Sequence, residues 1–111
     1  MDLESLKQKV RTILGDQVVF NKEFDEIADN VKNFEENILP WCTALKDGLI
    51  KAVPSSYLNG SLVFINRIGS SNRCVVIKVK NGVFCEFHLG DHRYYDYLRK
   101  KLGIKEGSRM Y

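Results

Sequence analysis

Leu3, Leu6, Val10, Ile13 and Leu14 recur at spacings of three and four, which lays one apolar stripe along a helix over residues 2–14. Gly15 is placed to stop it. A short extended run, Gln17-Val18-Val19-Phe20, follows, and Asn21 is placed to cap a second helix. In that helix Phe24, Ile27, Val31, Phe34 and Ile38 share a face, while Asp25, Glu26, Asp29, Lys32, Glu35 and Glu36 fall elsewhere. Pro40 ends it or opens the next element. A third, shorter helix is expected from Trp41 to Val53, burying Leu45 and Leu49, with Gly48 as its weak point.

Beyond Pro54 the period changes. Pro54-Ser55-Ser56 and Asn59-Gly60 carry turn chemistry, and three strand-like runs follow at Ser61–Ile68, Arg73–Lys80 and Val83–Leu89. Gly69-Ser70-Ser71-Asn72 joins the first two, and Asn81-Gly82 predicts a type I′ hairpin between the last two. Three sequential strands with short links form an antiparallel meander. Alternation sets Val75, Ile77 and Val79 against Cys74, Val76, Lys78 and Lys80, and Val83, Cys85, Phe87 and Leu89 against Phe84, Glu86 and His88. One apolar face needs cover, which the upstream helices supply. The other face, carrying Lys78, Lys80, Glu86 and His88, is expected to hold the function. Asp91 is placed to cap a last helix ending near Gly103, with Arg99, Lys100 and Lys101 at its negative end. The expected fold class is α+β: N-terminal helices on one face of a small antiparallel meander.

Composition narrows the reading. With 111 residues the chain is the size of one domain, so residues 1–111 are read as a single unit. Within it, 1–16 is an extra helix, 17–98 the core and 99–111 a basic tail. No apolar stretch approaches the roughly 20 residues of a membrane helix, and the start lacks the layout of a secretion signal. A cytoplasmic location without membrane contact is the expectation. Cys42, Cys74 and Cys85 lack CxxC spacing and read as buried small hydrophobes, with neither a disulfide framework nor a metal site.

The net charge of +3 conceals a division. Residues 1–47 carry six Lys/Arg against ten Asp/Glu, whereas residues 48–111 carry eleven against four. A positive field over the second half suits a polyanion or an acidic protein partner. No phosphate-binding glycine loop, zinc pattern or nucleophile motif is present. What remains is a constellation of Arg67, Arg73, Lys78, Lys80, His88, His92, Arg93, Tyr94 and Tyr95 on or beside one sheet. Cations hold phosphates and rings stack on bases, so such a set suits single-stranded nucleic acid. The same groups serve metal-free phosphodiester chemistry, histidine moving protons and arginine or lysine stabilising charge. Each has a plainer reading beside this one. Arg73 also fits an exposed strand-end cation, His92 an ordinary surface histidine, and one of Tyr94, Tyr95 and Tyr97 a core ring.

The segment from Arg73-Cys-Val-Val-Ile-Lys-Val-Lys through Leu-Gly-Asp-His92-Arg-Tyr-Tyr95 resembles the C-terminal half of RelE/ParE superfamily toxins. The resemblance rests on an arginine opening a strand, a tight turn, an apolar strand, then a glycine–x–histidine element with an aromatic residue close behind. It covers about residues 17–98. It implies a RelE-like fold and, for the RelE, YoeB and YafQ branches, cleavage of mRNA, usually on the ribosome, without metal or other cofactor. The ribose 2′-hydroxyl attacks the adjacent phosphate and leaves a cyclic phosphate. On that resemblance Arg73 stabilises the phosphate, His92 serves the leaving group or the attacking hydroxyl, and Tyr95 orients RNA, with Tyr94 as the competing assignment. Arg67, Lys78, Lys80, Arg93 and Tyr94 would bind RNA. The implied partner besides mRNA is a cognate antitoxin, acidic in its binding segment. The chain departs from the pattern at Asp96, where relatives carry an aromatic residue, and in its amino-terminal helix and long tail. Glu86 is the one sheet carboxylate available as a base. A ParE-like, gyrase-directed toxin, a silent binding module of the same fold, and an unrelated α+β interaction domain stand as alternatives.

Overall fold

The computed structural model describes residues 2–53, 61–69, 71–79 and 82–104. The chain runs α1 (Leu3–Leu14), β1 (Val19–Phe20), α2 (Phe24–Asn30), α3 (Phe34–Lys46), β2 (Leu62–Ile68), β3 (Asn72–Lys78), β4 (Phe84–Asp91) and α4 (His92–Leu102). The strands form one sheet in the order β1-β4-β3-β2. β2, β3 and β4 make the expected antiparallel meander, and β1 joins β4 in parallel, so the sheet is mixed.

Asp2 opens α1, its carboxylate accepting from the amides of Glu4 and Ser5. The stripe then buries Leu6, Val10 and Leu14 against α3 and the sheet. Lys7 fastens the same helix to α2 through Asp25 at 2.6 Å, its ammonium also facing the Phe20 and Phe24 rings. Phe24 sits at the centre of an aromatic group with Phe20, Phe34 and Phe87, at centroid distances of 4.7–5.8 Å. Cys42 and Cys74 are wholly buried in this layer, and burial pushes the Cys42 thiol up to about 12.

The helical layer departs from the sequence expectation in three places. The stripe from Phe24 to Ile38 is broken at Val31–Asn33, where Val31 is extended and Asn33 is left-handed with φ +56°. Asparagine tolerates that region better than most residues, and the bend turns both halves of the stripe onto the sheet. Pro40 neither ends nor begins a helix but lies inside α3, which continues to Lys46. Ile38, Cys42 and Leu45 on its buried side outweigh the hydrogen bond that proline removes. The separate helix expected over 41–53 is therefore absent, and Leu49 is 75% exposed rather than buried. Nor does the Asn21 side chain cap α2. It accepts from the Leu89 amide and donates to the Leu89 carbonyl, both at 2.9 Å, extending the β1–β4 pairing by one residue.

The turns expected at 54–60 lie outside the described residues. At the β3–β4 hairpin Gly82 has φ +87° and donates to the Val79 carbonyl, so it closes the turn rather than standing at its centre.

The larger departure concerns the second face of the sheet. Asp91 caps α4 and Gly103 ends it in the left-handed conformation, both as expected. The helix then folds back onto the face opposite α1–α3. Tyr95, Leu98 and Leu102 meet Val63, Ile65, Val75 and Ile77 there in a second buried cluster. The sheet is thus covered on both sides. No helix among the described residues is long and apolar enough to cross a membrane.

Candidate functional site

Strand register determines which side chains meet α4. Arg67 pairs with Arg73, and Arg73 with Gly90; Ile65 pairs with Val75, and Val75 with His88; Val63 pairs with Ile77, and Ile77 with Glu86. Side chains paired directly across strands share a face, so Arg67, Arg73, Glu86 and His88 all lie on the α4 side. Lys78 does not. It belongs to the opposite face, with its ammonium 5.1 Å from the ring of Phe84 in the α1–α3 core. This corrects the expectation that Lys78 shares a face with Glu86 and His88. Lys78 alternates with Ile77, the register partner of Glu86, so it faces away from Glu86, and the irregularity between Ile77 and Lys78 sets Phe84 opposite it; the pairing between strands, which alternation within a strand does not give, decides this. Lys80 lies outside the described residues.

The cap of α4 places the next group. Asp91 accepts from the Tyr94 amide at 3.0 Å, and the Tyr94 ring lies down on the backbone of Gly90. A β-carbon at position 90 would stand 2.2 Å from Tyr94 Cδ2, so only glycine admits the ring there. From this position the Tyr94 hydroxyl reaches His88 Nδ1 at 2.6 Å, and His88 Nε2 reaches Glu86 Oε1 at 2.8 Å. A carboxylate can only accept, so His88 Nε2 carries a proton; in the neutral imidazole Nδ1 is then the acceptor and Tyr94 the donor. Burial, and then the charges of Glu23 and Glu86, raise the Tyr94 phenol above its ordinary value, with Tyr97 adding to the shift and a hydrogen bond from Asn21 opposing it. The phenol is thereby held protonated, as a donor to His88.

Rings continue outward from this group. His88 and Tyr94 lie 6.0 Å apart, Tyr94 and Tyr97 lie 6.5 Å apart, and Lys101 Nζ stands 5.9 Å from the Tyr97 ring. Tyr97 is 60% exposed. His92 and Arg93, in the first turn of α4, are exposed, and so is Arg67. Arg67 also lines a small cavity with Asn37, Asn66, Ile68 and Gly69.

Arg73 and Tyr95 are brought together, but inside the protein. Each is 5% exposed. The Arg73 guanidinium is 5.8 Å from the Tyr95 ring, and its Nη1 donates to the Asn72 carbonyl at 3.2 Å. The exposed strand-end reading of Arg73 therefore fails, because α4 closes over it. Of the three tyrosines, Tyr95 is the core ring.

His88 and Glu86 are the members whose role the sequence understated. Their signal was present: positions two apart on a strand share a face, and Tyr94 follows across one tight cap. Asn21, Glu23 and Tyr97 gave none, since only β1 pairing and the docking of α4 bring them near. Among the described residues, no group of three His, Cys, Asp or Glu side chains is gathered closely enough to hold a metal ion.

Comparison with known protein families, with curated proteins and with solved structures finds no significant match for the chain in any of the three.

Proposed function

We propose that the chain is an RNA-cleaving toxin of the RelE/ParE type, acting on mRNA without a metal and neutralised by an antitoxin with an acidic binding segment. The observation that carries this reading is the Tyr94–His88 hydrogen bond of 2.6 Å, made from the same first turn of α4 that exposes His92 and Arg93, on the cationic half of the chain. Those groups supply proton transfer and a cation for phosphate, the two things that cleavage through a 2′-hydroxyl requires. A short strand, two helices, a three-stranded meander and a strand order that returns β1 beside β4 are in keeping with a RelE-like fold. Fold alone does not decide activity, so the site has to carry the reading.

The test is cleavage of RNA by the purified protein in EDTA, with and without programmed ribosomes, beside His92→Ala. Cleavage by the wild type with cyclic-phosphate ends, lost in His92→Ala, is the expected result. Absence of cleavage from folded protein under both conditions would overturn it.

One observation favours a second reading. Arg73 and Tyr95, to which the resemblance gives catalytic parts, are both withdrawn from solvent under α4. A silent relative that binds nucleic acid, or a ParE-like, gyrase-directed toxin, needs neither of them at the surface. Gyrase inhibition without RNA cleavage would identify the latter.

A further inference from the structure

Resting on that ribonuclease reading, we infer that Tyr94, His88 and Glu86 form the base side of the reaction, with the Tyr94 hydroxyl as the group that meets the substrate's 2′-hydroxyl. The chain of contacts has a direction. Glu86 accepts from His88 Nε2, which leaves Nδ1 as the lone-pair nitrogen facing Tyr94 at 2.6 Å. Tyr94 donates its proton along that bond, and beside the hydrogen bond from Asn21 its oxygen keeps a lone pair to accept another. A 2′-hydroxyl bonded to Tyr94 Oη passes its proton to the phenol oxygen as the phenol proton moves to His88 Nδ1. The phenol stays neutral throughout, which agrees with the raised phenol, and the imidazolium that forms is held by Glu86. The 2′-oxygen forms its bond to phosphorus and the bond from phosphorus to the 5′-oxygen breaks. The leaving 5′-oxygen takes a proton from the acid side, the part assigned to His92, which is exposed in the first turn of α4. The products are a 2′,3′-cyclic phosphate and a 5′-hydroxyl, with no water consumed.

Tyr94 is the catalytic group in this scheme, His88 holds the transferred proton, and Glu86 is a positioning residue acting through His88. The site is assembled for this arrangement at some cost. Position 90 has no side chain so that the ring can lie on β4, Asp91 holds the Tyr94 amide, and Asn21 ties β1 to Leu89 beside it. The remaining charged and titratable neighbours are Glu23 and Tyr97. Glu23 disfavours a free phenolate, so proton passage to His88 is the open route.

The experiment uses the full chain, a single-site RNA oligonucleotide and a 2′-O-methyl oligonucleotide that cannot be cleaved. Tyr94→Phe keeps the ring on Gly90 and removes only the hydroxyl, and thermal unfolding checks that both it and His88→Gln remain folded. The expected result is a single-turnover rate lower by about 10²–10⁴-fold in both variants, with affinity for the uncleavable oligonucleotide little changed. Glu86→Gln lowers the rate less, again without loss of binding, and Glu86→Asp restores part of it. A substrate with a sulfur leaving group, which needs no proton, rescues His92→Ala but not Tyr94→Phe. Wild-type cleavage left intact in Tyr94→Phe would overturn the relay while leaving the ribonuclease reading in place. Rescue of Tyr94→Phe by the sulfur substrate would move Tyr94 to the acid side and overturn its assignment as base. Failure of the wild type to cleave overturns both.

Discussion

Gly90→Ala isolates the contact on which the whole α4-side site depends. The substitution is ordinarily favourable in a strand, because glycine loses more backbone freedom on folding than alanine does. Gly90 has no positive φ to defend, so nothing in its backbone opposes the change. The opposition comes from Tyr94. A methyl at position 90 would stand 2.2 Å from Tyr94 Cδ2 and 2.6 Å from its Cβ and Cγ. Since Cβ belongs to the rigid root of the side chain, rotating the ring cannot clear all three. The first turn of α4 has to lift, which stretches the 2.6 Å bond to His88. Overpacking of this kind costs about 1–3 kcal/mol, and the lost hydrogen bond adds about 1 kcal/mol. Gly90→Ala should therefore destabilise the domain by about 2–4 kcal/mol, read in urea denaturation. Its melting temperature should fall by about 10 °C or more. Tyr94→Ala removes two of the three offending atoms, so the same substitution in that background should cost at least about 0.5 kcal/mol less. Equal stability of Gly90→Ala and wild type, or an equal cost in both backgrounds, would refute the packing argument.

Three further outcomes follow from burial. Arg73→Ala truncates a residue that is 5% exposed and removes its contact with the Tyr95 ring, and should destabilise by about 2–3 kcal/mol in urea denaturation. A change under about 0.5 kcal/mol would show that α4 does not pack as described. Loss of activity in that variant alone would not assign Arg73 a catalytic part. Cys42 is raised from 9.0 to about 12 in the folded chain, so its contribution to stability is complete below pH 9 and is lost as pH rises from there toward 12. The raised Tyr94 phenol adds a loss of the same sign above about pH 10. The urea midpoint should therefore fall on the alkaline side, less steeply in Cys42→Ala. Cys42 should also resist alkylation at pH 8 until the protein unfolds, and labelling of the native protein at the rate of a free thiol would contradict its burial.

Much of the architecture was legible in the sequence because it rests on local periodicity. The stripe of α1, the three meander strands and the Asp91–Gly103 limits of α4 each follow from residues a few positions apart. Besides the Asn21 cap, two local features escaped. A proline usually ends a helix, yet buried contacts on both sides carry α3 through Pro40, and Asn33 gave no sign that it would take a left-handed bend. In both cases tertiary packing overrode a local preference.

The site was less legible, for a different reason. Alternation along a strand tells which residues share a face, and it correctly grouped Glu86 with His88. It says nothing of what will cover that face. α4 is rich in charge, and only Tyr95, Leu98 and Leu102 mark its buried side, so its docking over the sheet became visible in three dimensions alone. That docking decides the fate of every neighbouring residue. Arg73 is buried because Tyr95 arrives over it, Tyr94 meets His88 because residue 90 lacks a side chain, and Lys78 falls away because the β3–β4 register sets its neighbour Ile77 against Glu86. By itself, the sequence determined the first and last helices, the meander and the charge division between the two halves. The tertiary structure alone decided which of the basic and aromatic residues face solvent and which become core, since burial depends on surfaces brought together from distant parts of the chain.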